Sequence, residues 1–301
     1  MITWTSNTLH LIHRRGGSRQ ATTCRTTRAR RFLVRVACSS SAPGEAASGR
    51  RPLVIATRPS QLAQEQTRQV QRLLLAAAQL RNEPLELSVL PIRTAGDADT
   101  TSPLRNLGSG AFTEALDAAV ADCRTADMAV HSLKDCPAVL REGLVLAACL
   151  PRADPRDVLV VAKEAEEAGG GGGVAGAGSS IKGLADLPPG SRVGTSSSRR
   201  AAQIRYLHPH LQVVQLRGNV ESRLERIRTG ELRATVMALA GLQRMGREDA
   251  ASAVLSTEEM LPAACQGAVG VVCRDDDPWV RQLLSAISHR STLLEVAAER
   301  A

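Results

Sequence analysis

Thr195-Ser196-Ser197-Ser198-Arg199-Arg200 and Leu216-Arg217-Gly218-Asn219-Val220-Glu221-Ser222-Arg223 each set hydroxyls and arginines between an apolar run and a helical pattern. Val193 ends a short apolar run before the first, and Ala201-Ala202-Gln203-Ile204 opens a helical pattern after it. Leu211-Gln212-Val213-Val214-Gln215-Leu216 reads as a strand leading into the second. Val220, Leu224 and Ile227 then mark one helix face, closed by Gly230. A strand, a polar turn and a helix, twice in succession, is the unit of an open α/β sheet, whose ligands bind at such turns. Unsatisfied N–H groups at a helix start favour anions, and an arginine fork grips a carboxylate through two parallel bonds. A solvated basic helix face is the competing reading. The placement of both arginine groups in strand-to-helix turns favours a ligand with several carboxylates.

Upstream, Leu53-Val54-Ile55-Ala56-Thr57 reads as a buried strand. In the following Arg58-Pro59-Ser60, the serine is placed to cap a helix running to about residue 80. A second strand is predicted over 85–92, then the polar turn Arg93-Thr94-Ala95-Gly96-Asp97. Gly108-Ser109-Gly110 leads into a helix with Phe112, Leu116 and Val120 on one side. Asp127-Met128-Ala129-Val130 is the next strand, ending in His131-Ser132-Leu133-Lys134-Asp135. Strands alternating with helices predict mostly parallel pairing. Pro151-Arg152-Ala153-Asp154-Pro155-Arg156-Asp157 is a proline-marked crossing between two lobes. The second lobe takes strands over 158–161 and 234–239, and residues 169–178, almost pure Gly and Ala, read as a flexible surface insertion. The apolar segment 261–271 is predicted to return to the first lobe as a strand, and 280–300 to form one helical stretch.

Lys134-Asp135 follows a buried strand, so both side chains should emerge at the sheet's carboxyl edge. A carboxylate there can steady a developing cation or hold a substrate N–H, while the lysine takes an anion. A turn aspartate and a surface lysine are the plainer alternative. His131 has no partner spaced for a triad or a metal and reads as core or edge filler. Gln266 is equally readable as structural or as ligand-binding.

The formal net charge of +8 belongs to the amino-terminal segment. Residues 1–50 hold nine arginines and one acid, Glu45; residues 51–301 hold 29 basic and 29 acidic residues. That balance, with only two Trp, one Tyr and two Phe to stack on bases, argues against a nucleic-acid partner. The arginine-, Ser- and Thr-rich start without an apolar core has the composition of an organelle transit peptide, assigned to 1–48 and expected to be disordered; chloroplast fits slightly better than mitochondrion. No apolar run approaches a membrane span. Seven cysteines without a Cys-x-x-Cys pair argue for reduced thiols and against a zinc site.

Five segments in register resemble porphobilinogen deaminase, also called hydroxymethylbilane synthase. They are Ile55-Ala56-Thr57-Arg58-Pro59-Ser60, Ala129-Val130-His131-Ser132-Leu133-Lys134-Asp135, Gly194 through Arg200, Leu216 through Arg223, and Leu261-Pro262-Ala263 with Gln266-Gly267-Ala268. The resemblance implies two lobes like those of periplasmic binding proteins, each with a mixed, mostly parallel sheet flanked by helices. Lobe 1 would take 50–151 and 262–285, lobe 2 would take 156–261, and 286–301 would begin a small α+β third domain. It also implies head-to-tail condensation of four porphobilinogen units with release of ammonia, on a dipyrromethane primer held covalently by a cysteine. By matching position, Arg58, Ser60, Ser132, Lys134, Thr195, Ser196, Ser197, Arg199, Arg200, Arg217, Gly218, Arg223 and Gln266 would bind primer and substrate. Asp135 would be catalytic, holding pyrrole N–H groups and the cation formed when ammonia leaves. A monomer without a metal is implied.

The sequence departs from the family pattern in places. The third domain and its Gly-Gly-Cys loop would lie past Ala301, and no cysteine here occupies that position, so the chain as written is expected to bind but not to turn over. A non-catalytic binder of carboxylated pyrroles is the alternative. The last helix is expected to leave Leu293, Leu294 and Val296 on the surface. The glycine loop before Phe112 lacks the family's lysine, Ser198 replaces a usual leucine, and Ala95 replaces a usual arginine.

Overall fold

The Ser60 hydroxyl accepts from the Ala63 amide at 3.4 Å and starts the first long helix where the sequence placed it. Val70, Leu74 and Ala78, four residues apart, are its buried face, and the first two pack on Leu53 and Ile55 of the preceding strand. A computed structural model describes residues 32–33, 52–99, 102, 106–108, 110–162 and 181–301. In chain order its elements are β1 (Phe32–Leu33), β2 (Leu53–Thr57), α1 (Gln61–Leu80), β3 (Leu87–Pro91), α2 (Ala95–Ala98), α3 (Glu114–Ala121), β4 (Met128–Ser132) and β5 (Leu144–Cys149). The second lobe follows with β6 (Asp157–Val161), β7 (Arg192–Gly194), α4 (Ser198–Leu207), β8 (Gln212–Val214), α5 (Val220–Arg228), β9 (Ala234–Ala238), α6 (Leu239–Arg244) and β10 (Ala253–Val254). The chain then returns through β11 (Val269–Arg274), α7 (Pro278–Ser285) and α8 (Arg290–Arg300).

The first sheet has the order β1-β3-β2-β4-β11-β5 and the second β10-β6-β9-β7-β8. Both are mixed. Parallel pairing joins β3, β2 and β4 in one and β8, β7 and β9 in the other. Antiparallel strands flank these trios because β11 and β6 are the strands on which the chain changes lobe, entering each sheet against the local direction. Val269, Val271 and Cys273 of the returning strand are fully buried beside Met128 and Val130.

Several expectations are refined. The returning strand begins at Val269, later than predicted, because 261–268 is irregular and carries Cys265 with φ 59°. β5 has no counterpart in the sequence reading. The single terminal helix is two, broken at Ala286–His289, where the His289 side chain caps α8 by accepting from the Thr292 amide. That break turns α8 onto the first lobe. Val296 is buried among Leu133, Cys149, Cys265 and Ala268, Leu293 is half-buried, and Leu294 alone of the three is exposed. The leader 1–48 lies outside the described residues except Phe32–Leu33, which pair antiparallel with Val89 and Ser88; the glycine-rich 169–178 also lies outside them.

Candidate functional site in the interlobe cleft

β4 ends at Ser132, and a single 3-10 turn follows over Leu133–Asp135. Leu133 is its anchor: it is 1 % exposed, its amide donates to the Ala268 carbonyl at 3.1 Å, and it fills the space left by Gly270, whose added Cβ would stand 2.4 Å from Leu133 Cδ2. With Leu133 held inward, Lys134 and Asp135 face the second lobe. No hydrogen bond or ion pair joins Lys134 or the Asp135 carboxylate to another side chain among the described residues.

Across the cleft the two strand-to-helix turns are knitted together by their own hydroxyls. Ser196 Oγ donates to the Leu216 carbonyl at 2.6 Å, and the Thr195 amide to the Val214 carbonyl at 2.9 Å. Thr195 Oγ1 accepts from the Ser197 amide at 3.2 Å, and Ser197 caps α4. Asn219 caps α5, accepting from the Ser222 amide at 2.9 Å. Gly218 sits at φ 113°, where a Cβ would stand 2.2 Å from Ser222 Oγ, so the turn requires glycine. The Gly218 carbonyl accepts from Arg223 Nε at 2.9 Å.

Lys134, Asp135, Arg200, Arg217 and Arg223 are thereby close enough to perturb one another's charge. Dehydration pulls Arg223 down to about 10, reinforced by Arg200 and Arg217 and opposed by Asp135. Lys134 is reached by solvent, yet the protein around it depletes water enough to bring it down to about 8. Asp135 and Asp157 oppose that fall; Arg200 and Arg223 add to it. Several cations crowded into one partly dehydrated space make a site for an anion.

The remaining expected residues are already committed to protein partners. Arg200 is 6 % exposed, and its fork holds Asp157 at 2.7 and 3.2 Å and the Val236 carbonyl at 3.0 Å. Arg199 reaches the same carboxylate at 2.8 Å, and also the Leu261 carbonyl. Gln266 donates to Asp157 at 2.9 Å and to the Pro155 carbonyl at 2.6 Å, while its Oε1 is buried without a partner among the described residues. Arg58 lies 4.2 Å over the Phe112 ring and pairs with Asp97. Burial would raise the Asp97 carboxyl, but Arg58 and Thr94 outweigh it and hold it below the usual range. Ser60 serves as a cap, and Ser132 exchanges hydrogen bonds with Gln66 at 2.8 and 3.2 Å. Arg217 reaches across the cleft to the carbonyls of Gly96, Asp99 and Ser102. His131 is buried against Asp117 at 3.0 Å, as a core residue.

Asp157, Asp97 and Phe112, the partners of these arginines, are not singled out as such by motif and spacing. An acid opening the apolar run Asp157-Val158-Leu159-Val160-Val161 was the available signal, since a buried carboxylate must find cations.

Asp135, uncommitted among the described residues and beside Lys134 and Arg223, fits a compound with several carboxylates and ring N–H donors, such as a dipyrromethane bearing acetate and propionate groups. Cys136, Cys149 and Cys273 do not fit as anchors: burial pushes Cys136 up to about 12 and Cys149 and Cys273 up to about 11, keeping them protonated. Among the described residues no cluster of His, Cys, Asp or Glu could hold a metal ion, and no helix is long and apolar enough to cross a membrane.

Comparison with known proteins places residues 53–282 in the family described as "Porphobilinogen deaminase, dipyromethane cofactor binding domain". The chain is 40% identical over 247 residues to "Porphobilinogen deaminase, chloroplastic" of Oryza sativa subsp. japonica, covering 82% of this chain and 64% of that protein. It is 45% identical over 258 residues to "Porphobilinogen deaminase" of Sphingopyxis alaskensis, covering 85% of this chain and 76% of that one. Among solved structures it is similar to a putative methionine-binding lipoprotein of Bacillus subtilis, at TM-score 0.43 and 13% identity, over 81% of this chain and 93% of the other.

Proposed function

The chain belongs to the porphobilinogen deaminase family, and we propose that its cleft performs the hydroxymethylbilane synthase reaction, a head-to-tail condensation of four porphobilinogen units. In each step a C–N bond of an aminomethyl group breaks, ammonia leaves, and a C–C bond forms to a pyrrole α-carbon that then loses its proton. When bound, dipyrromethane supplies the pyrrole carbon to which the first unit is joined. Asp135 accepts from pyrrole N–H groups and stabilises the positive charge that grows on the ring as ammonia departs; a fixed carboxylate in a partly dehydrated site is well suited to this. Lys134 and Arg223 take acetate and propionate groups. Arg217 and Arg58 border the same space, with Ser60, Ser132, Thr195, Ser196, Ser197 and Gly218 shaping the turns that hold it. Arg199, Arg200 and Gln266 back this space, held by Asp157.

The observation that carries this reading is the Asp135 carboxylate, without a hydrogen-bond or ion-pair partner among the described residues, beside Lys134 and Arg223. The test is ammonia release and hydroxymethylbilane formation from porphobilinogen by the purified protein; binding without release would favour the non-catalytic binder instead. Release that persists in Asp135→Ala would refute the assignment of that residue. A monomeric state is part of the proposal, and so is a plastid location, which the leader's composition and the chloroplastic relative support. A fluorescent fusion of residues 1–50 that stays in the cytosol would remove the first.

A further inference from the structure

Asp157 stands at the junction of the two lobes, and its carboxylate is fully buried. It opens β6, immediately after the first crossing. Three side chains converge on it. Arg199 and Arg200 come from α4, and Gln266 from the second crossing. Arg199 and Gln203 also bind the Leu261 carbonyl on that second crossing. Burial by itself would raise the Asp157 carboxyl; Arg200 and Arg199 outweigh it and keep it ionised. One anion thus fixes both forks and both crossings.

We propose that Asp157 is a positioning residue for the cleft: its buried carboxylate fixes Arg199 and Arg200 against the second crossing and sets the charge balance around Lys134 and Arg223. The charged groups facing Lys134 are Asp135, Arg200, Asp157 and Arg223, two of each sign. Two further cations, Arg199 and Arg217, stand next to this set. Without Asp157 the balance tips positive, and Lys134 would shed its proton at lower pH. The forks, released from their anchor, would turn to solvent or swing into the space meant for ligand.

The chain has only three lysines, Lys134, Lys163 and Lys182. Lysine-selective carbon NMR can therefore follow Lys134 in the ligand-free protein, with Lys134→Arg assigning its signal. The native midpoint is expected near 8. Asp157→Asn should lower it by about half a pH unit or more, and Asp157→Glu should largely restore it. If Asp157→Asn does not fold, the pair Arg200→Gln and Asp157→Asn/Arg200→Gln replaces it. The first should raise the midpoint, and the second, which removes the buried pair together, should bring it back down. An unmoved midpoint in folded Asp157→Asn, or equal midpoints in that pair, would overturn the proposal. A second arm rests on the proposed function: porphobilinogen affinity should fall about tenfold or more in Asp157→Asn, with its alkaline limb moved to lower pH. Native protein that fails to bind porphobilinogen counts against the function alone, because the lysine titration needs no ligand.

Discussion

The Arg217 guanidinium crosses from the second lobe to the first and donates to the Asp99 carbonyl oxygen at 2.7 Å. It also holds the Gly96 carbonyl at 3.1 Å, one residue from the Asp97 that Arg58 grips. A single side chain therefore tethers the lobes at the cleft mouth while standing beside the anion site. Arg217→Ala should raise hydrogen exchange in the amides of 96–99 and weaken porphobilinogen binding by roughly 1.5–3 kcal/mol, the range for a hydrogen bond to a charged group. Unchanged exchange and calorimetric affinity would remove Arg217 from both roles.

Lys134 gives the cleft a pH dependence. It is cationic below about 8 and neutral above, so affinity for a carboxylated ligand should fall as pH rises through 8. Stability runs the other way. Between 8 and the ordinary lysine value the unfolded chain holds a proton that the folded chain lacks, so stability rises with pH across that window. Lys134→Met should therefore melt higher than the native protein at pH 7, and the gap should close towards pH 10.5. A constant gap in calorimetric scans would contradict the assigned cause.

Asp135→Asn removes a charge without removing bulk. Turnover should drop by about 10²–10³, with porphobilinogen affinity much less affected, because the charge matters most while ammonia is leaving. Single-turnover ammonia release separates the two. An equal loss in both would make Asp135 a binding residue.

Gly270→Ala tests the support beneath that turn. The new methyl would press on Leu133 Cδ2 and Cγ, at 2.4 and 2.8 Å. The chemical denaturation midpoint should fall by an amount worth about 1–3 kcal/mol. Leu133→Val in the same chain should recover part of it, since a shorter side chain clears the methyl. No recovery would mean the strain falls elsewhere, for instance on Leu146 at 2.8 Å.

The sequence reading located most elements and the chemistry of the turns, because capping and periodicity are local. Ser60, Ser197 and Asn219 all cap as serines and asparagines do at helix starts. It could not show where the arginines point. Arg200 pairs with an acid far back in the chain, across a segment that carries no periodic pattern, and only the folded chain brings them together. β5 escaped notice because its apolar run follows a glycine turn and blends into the proline-marked crossing. The break before α8 was hidden for a different reason: its cap is a histidine, an uncommon residue for that task, so nothing in the run 280–300 announces a stop.

β11 lies between β4 and β5, with Val271 opposite both Val130 and Ala148. On the ribosome, β4 and β5 emerge before the whole of the second lobe, and the strand that joins them emerges after it. Until then β5 has no neighbour in its sheet, and the inner edge of β4 is bare. The first lobe must wait, partly assembled and sticky, while the second is made, and closure of so distant a pairing is slow. Yield during synthesis should accordingly depend on chaperone supply more than the finished protein's resistance to heat would suggest.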